Sequence, residues 1–130
     1  MKELLVPLSP GELLDKITIL RIKVARIQDA AKLANIKREL TLLEQTWRDS
    51  GAAAHDVAIE ERALENVNER LWDIEDRIRD KEARQTFDRE FIELARAVYI
   101  CNDERAAIKK RINLHLGSPL VEEKSYKQYR

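Results

Sequence analysis

The sequence predicts an all-α protein, an elongated four-helix bundle of two antiparallel helical hairpins with an extended C-terminal tail. Three observations predict it. Only 3 Gly and 3 Pro occur in 130 residues, too few breakers for a sheet protein or for long loops. Leu, Ile, Ala, Glu, Arg and Lys are abundant and 37% of residues are charged, a composition of good helix formers. Apolar residues also recur at helical spacing in four successive segments. A chain of this length suits a single helical domain spanning residues 1–130, whose long helices pair as in a coiled coil.

The first helix is expected over about 10–28. Ser9, Pro10, Gly11 and Glu12 supply an N-cap serine, a proline at the first helical position and a glutamate three residues after the cap. Leu13, Ile17, Leu20, Val24 and Ile27 mark its face. That stripe would continue at 31 and 34, whereas the next apolar positions are Leu33, Ile36, Leu40, Leu43 and Trp47. The phase slip places a break near Asp29, which can cap a second helix over about 30–49 that stops at Asp49, Ser50 and Gly51. A third helix is expected over about 57–83, with Glu60 and Glu61 in its first turn and Val57, Leu64, Val67, Leu71, Ile74 and Ile78 on its face. A further slip before Phe87 lets Thr86 or Asp88 cap a fourth helix over about 87–116, ended by Gly117. The tail, 117–130, is expected to lie extended across the bundle or beside the N-terminal LLVPL segment.

Ile19 and Ile22 form a second apolar patch on the first helix, opposite its main stripe. Either this helix is central in the bundle, or Ile19 and Ile22 are a dimer interface; a homodimer is expected on that face.

Composition narrows the function. Lys plus Arg and Asp plus Glu each number 24, so no basic excess recruits nucleic acid or an anionic membrane surface. No apolar run approaches the ~20 residues of a membrane span, and the start MKELLVPLSPGE lacks a signal-peptide layout. Cys101 is the single cysteine, so the expected compartment is the reducing cytoplasm. His55 and His115 stand apart at a loop and a helix end, so no metal site through nitrogen or sulfur is expected, and no glycine-rich loop implies a nucleotide cofactor. No cofactor is expected.

The fourth helix carries the main puzzle. At 100° per residue Asn102, Arg105 and Lys109 fall within the stripe that Phe91, Leu94, Val98 and Ile112 define. The alternative is that the face drifts through Ala97, Cys101, Ile108 and Ile112, leaving the three at its edge. If the third and fourth helices are antiparallel, positions summing to about 170 are level, which pairs Glu60 with Lys109, Asn68 with Asn102 and Glu75 with Arg96. One reading is a structural seam held by Glu60 and Lys109 that fixes helix register. The other is a ligand site built from Arg96, Tyr99, Asn102, Asp103 and Arg105 on one helix and Asn68, Trp72 and Glu75 on the other, suited to a small flat anion. Surplus cation at that site is the sign that would favour the anion.

EERALE at 60–65 followed by DIED at 73–76 is similar to the magnesium-binding helices of all-α nucleotide pyrophosphohydrolases, although the spacing departs by one residue. The segments SPGELLDKITIL, NERLWDIEDRIRD, FIELARAVYICNDERAAIKKRIN and GSPLVEEKSY resemble a bacterial family catalogued only as a domain of unknown function, over nearly the whole chain. That resemblance implies no assigned activity, and suggests a setting near glycosyltransferases and surface polysaccharides. The expected function is a non-catalytic helical interaction module, dimeric or bound to a protein partner. The alternative is a binder of, or enzyme for, a phosphorylated or carboxylated compound such as a sugar nucleotide.

Overall fold

A computed structural model of the protein describes residues 1–129. The four expected helices are present as α1 (Pro10–Arg26), α2 (Ala30–Asp49), α3 (Ala58–Ala83) and α4 (Arg89–His115), with a single 3-10 turn at Ala52–Ala54 and no strand among the described residues. No helix is long and apolar enough to cross a membrane.

Local chemistry sets the ends. The Ser9 hydroxyl accepts from Glu12 N at 3.2 Å, Asp29 accepts from Lys32 N at 2.9 Å, and Asp88, rather than Thr86, accepts from Phe91 N at 3.0 Å, so each satisfies a backbone donor that the first turn leaves open. Gly117, at φ 65°, ends α4 in the left-handed conformation, and Ser118 N closes onto Asn113 O at 2.9 Å. After α3 the same turn is made by Gln85 at φ 53°, where glycine is usual, with Thr86 N on Lys81 O at 3.0 Å.

The ion pairs Arg70–Glu104, Arg77–Glu90 and Lys81–Asp88 step in opposite directions along α3 and α4. α1 packs against all three other helices, while α2 rests principally on α1. The core gathers Leu14 of α1, Leu64 and Val67 of α3, and Cys101, Ile108 and Ile112 of α4, with Trp47 and Leu71 packed against it. Burial of Cys101 and Ile108 shows that the apolar face of α4 does drift, leaving Asn102 and Arg105 half-buried at its edge, yet Lys109 is buried as well.

The central position of α1 corrects the expected dimer surface. Ile22 is 4% exposed within a single chain and Ile19 is half-buried, because α3 and α4 already cover the side of α1 opposite α2. Within a single chain they line a cleft with Leu71 and Trp72 of α3 instead of forming an outer face. The tail departs from α4 and returns along it, as Glu122 reaches Lys109, Glu123 reaches Lys110 and Tyr129 reaches Asp103. Leu4, Leu5 and Val6 stay exposed and do not shelter it, and Arg130, the last residue of the expected tail, lies outside the described residues.

Candidate functional site

Asp15 lies one turn beyond Gly11 on the side of α1 that meets α3 and α4, and its side chain is 1% exposed. A carboxylate there must be paired and hydrogen-bonded to remain charged. Arg105 of α4 grips both oxygens, Nε donating to Oδ1 at 2.9 Å and Nη2 to Oδ2, the planar two-point fit that guanidinium makes with carboxylate. Asn68 of α3 donates from Nδ2 to Asp15 Oδ1 at 2.9 Å and to Thr18 Oγ1 at 3.1 Å, while the Thr18 hydroxyl donates to the Asp15 backbone carbonyl at 2.8 Å. Three helices therefore meet at one carboxylate.

The network continues toward the start of α1. Lys109 Nζ donates to Glu12 Oε2 at 2.9 Å and to Glu122 Oε2 of the tail at 3.1 Å. Asn113 Oδ1 accepts from Gly11 N at 2.8 Å. Gly11 is there for closeness, since a Cβ would stand 2.5 Å from the Lys109 carbonyl oxygen and 2.9 Å from Asn113 Oδ1. Among the described residues no buried side-chain nitrogen or oxygen lacks a partner.

The hydrogen bond from Asp15 holds the Arg105 guanidinium above its ordinary pKa against the opposing effect of burial. Burial pulls Lys109 down, but the hydrogen bonds it donates to Glu12 and Glu122 outweigh that and leave the ammonium above 10.5. Glu122 is held below 4.5 chiefly by Lys109. The depressed Glu122 contributes docking above pH 4.5 that fades as pH falls, and the raised Lys109 contributes docking below pH 10.5 that fades as pH rises. The tail is therefore expected to stay on α4 at neutral pH and to come free in acid and in strong alkali. Limited proteolysis at Lys124 and Lys127 across pH measures this, and cleavage that does not vary once the protease's own pH dependence is removed would contradict it.

Several level pairings expected from the sequence are replaced. Lys109 is paired, but its carboxylates are Glu12 and Glu122; Glu60 is half-buried on α3 and makes no ion pair among the described residues. The reason is that α1 and the tail both reach α4 at this level, so α3 is not its only neighbour. Glu75 pairs with Arg79 at 3.2 Å along α3, and Arg96 stands exposed beside Glu93 at 3.4 Å. Arg96 stands beside Tyr99 but lines neither of the two hollows that hold the other proposed ligand residues.

The remaining residues divide between two hollows. Asn68, Trp72, Glu75, Asn102 and Arg105 line a cleft of about 560 Å³, together with Ile19, Ile22 and Leu71. Tyr99 and Asp103, with Asn102 at the boundary, face a groove of about 620 Å³ under the tail, where Tyr129 donates to Asp103 at 2.7 Å and its ring meets Tyr99 edge-on at 4.9 Å. Gly11, Glu12, Asp15, Thr18, Asn113 and Glu122 were not evident as site residues from sequence. A signal existed, because Gly11, Asp15, Thr18 and Ile22 share one helical face at steps of 4, 3 and 4, so the second patch of α1 continues backwards as polar residues.

No curated protein and no solved structure matches the chain. The model of a family described as "Family of unknown function (DUF6165)" matches residues 4–129, and the chain belongs to that family.

Proposed function

We propose that the chain is a non-catalytic helical interaction module that associates with a second copy of itself through α2. The observation that supports this is how little of α2 is covered. None of its residues is buried, and its stripe of Leu33, Ile36, Leu40, Leu43 and Trp47 is only half-covered because it rests principally on α1. Further burial of that stripe is favourable at roughly 25 cal/mol per Å². Charge favours a second copy as the occupant. Lys32, Lys37, Arg38 and Glu39 lie in the first half of α2, a net charge of +2, and Glu44, Arg48 and Asp49 in the second, a net charge of −1. A two-fold contact runs a helix antiparallel to its own copy and so sets the basic half against the acidic half.

The polar network supports the non-catalytic part of the reading. Arg105 and Lys109, the cations that would hold a phosphate or a sugar nucleotide, are each neutralised by carboxylates of the chain itself. An incoming anion would have to displace Asp15 from Arg105, exchanging a built-in partner for one that loses translational freedom. Light scattering at tens of micromolar, roughly the range in which a modest interface associates, is expected to give the mass of two chains. Ile36→Glu, at a stripe position only half-covered within the chain, is expected to give one chain with unchanged helicity. A single-chain mass for the unaltered protein would contradict the proposal.

A further inference from the structure

The cleft beside the Asp15 network has a charge and a hydrogen-bonding pattern that differ from those of an anion site. Its floor is apolar, formed by Ile19, Ile22, Leu71 and the Trp72 ring. Its charged wall balances, with Arg79 and Arg105 facing Glu75 and Asp76, and Asp15 stands behind Arg105 as a third carboxylate. Phosphate and carboxylate ligands are therefore disfavoured. A cationic ligand is disfavoured too, because the cation position over Trp72 is filled by Arg26, 5.9 Å from the ring centroid.

Two amides, Asn68 and Asn102, line the same cleft with half of each unused. Asn68 commits its NH2 group to Asp15 and Thr18, while its Oδ1 accepts no bond. Since no buried side-chain oxygen is left unsatisfied, that oxygen is open to the cleft that Asn68 lines. Asn102 is the converse. Its Oδ1 accepts a long bond from Arg105 Nη1 at 3.5 Å, and its NH2 group donates to nothing among the described residues. The cleft thus offers an acceptor held in place by Asp15 and Thr18 and a donor free to turn toward a ligand, beside an aromatic and aliphatic floor, a pattern complementary to an N–H next to a C=O on a flat ring.

We infer that this cleft binds a neutral planar heterocycle carrying a lactam or amide edge, of the size of a nucleobase or nucleoside. The volume of about 560 Å³ is within the range of small-molecule sites. The proposal is independent of self-association through α2, since none of the cleft residues lies on that helix.

The test is a titration of the full chain with uridine, guanosine and nicotinamide, followed by NMR on the Trp72 indole N–H and the Asn68 and Asn102 side-chain amides. At least one of the three is expected to shift all these resonances at submillimolar concentration, as ~1 mM is the floor for specific recognition. The matching 5′-monophosphate, or nicotinic acid for nicotinamide, is expected to bind at least about tenfold more weakly, and Asn102→Ala to weaken binding about tenfold or more. Asn102 makes only one long hydrogen bond, so that variant keeps the fold. The inference is overturned if none of the three probes shifts these resonances, if the charged analogue binds as tightly as the neutral one, or if folded Asn102→Ala binds unchanged.

Discussion

Arg105→Leu is expected to destabilise the protein by about 3–5 kcal/mol, read as a fall in the urea midpoint at unchanged slope. Leucine fills the stem volume and adds apolar contact, so the loss does not come from a cavity. It comes from Asp15, whose side chain is 1% exposed and would keep only the Asn68 amide as a side-chain donor. A buried carboxylate without its counter-ion is among the costliest defects a small domain can carry, a large fraction of a total stability of ~5–15 kcal/mol. If Arg105 instead served to hold an external anion, its removal would leave stability unchanged or raise it.

Gly11→Ala is expected to cost about 2–3 kcal/mol, reversing the usual sign of that change within a helix, where alanine normally gains ~0.5–1 kcal/mol. Gly11 occupies an ordinary helical position and has no positive φ to protect. The obstacle is backbone, since a Cβ would meet the Lys109 carbonyl oxygen at 2.5 Å and cannot be relieved by a side-chain rotation. α1 must lift from α4, stretching the Gly11 N to Asn113 Oδ1 bond and the Lys109 to Glu12 pair together. Thermal unfolding of the single variant measures this, and a melting temperature equal to or above that of the unaltered protein would contradict it.

The elements whose causes are local were legible in the sequence. Ser9, Asp29 and Asp88 cap helices because an oxygen and a backbone N–H two or three residues apart need no tertiary context. Gly117 and the phase slips mark breaks for the same reason. That Arg105 and Lys109 lie on or beside the buried face of α4 was legible too, because their 100° steps place them within or at the edge of its apolar stripe. Their partners were not. The arithmetic of two antiparallel helices paired Lys109 with Glu60 and gave Arg105 no partner, whereas α1 also reaches α4 and brings Asp15 to Arg105 and Glu12 to Lys109, 90 and 97 residues away in sequence. Asp15 and Thr18 lie off the main apolar stripe of α1, and only the placement of α3 and α4 on that side makes them interior. Gly11 read as part of a helix start, since nothing local reveals that another backbone will pass within contact distance.

This difference in partners changes the chemistry. With Glu60 as the only carboxylate near Lys109 and none beside Arg105, α4 would present unneutralised cations to a ligand. With Asp15, Glu12 and Glu122 in place, the cations are consumed by the fold, and what remains of the ligand residues is a neutral cleft lined by Asn68, Trp72 and Asn102. Stability and recognition then rest on different atoms of the same side chains, as Asn68 holds Asp15 with its nitrogen and leaves its oxygen for the cleft.

The most direct test of a self-satisfied network is a double-mutant cycle on Asp15 and Arg105, comparing Asp15→Leu, Arg105→Leu and the two together by urea unfolding. The pairing predicts that each single change is destabilising, that the double variant recovers most of the loss because neither charge is stranded, and that the coupling is about 2 kcal/mol or more. Additive effects, or an Arg105→Leu protein at least as stable as the unaltered chain, would show that the arginine is not held by Asp15 and would contradict the account.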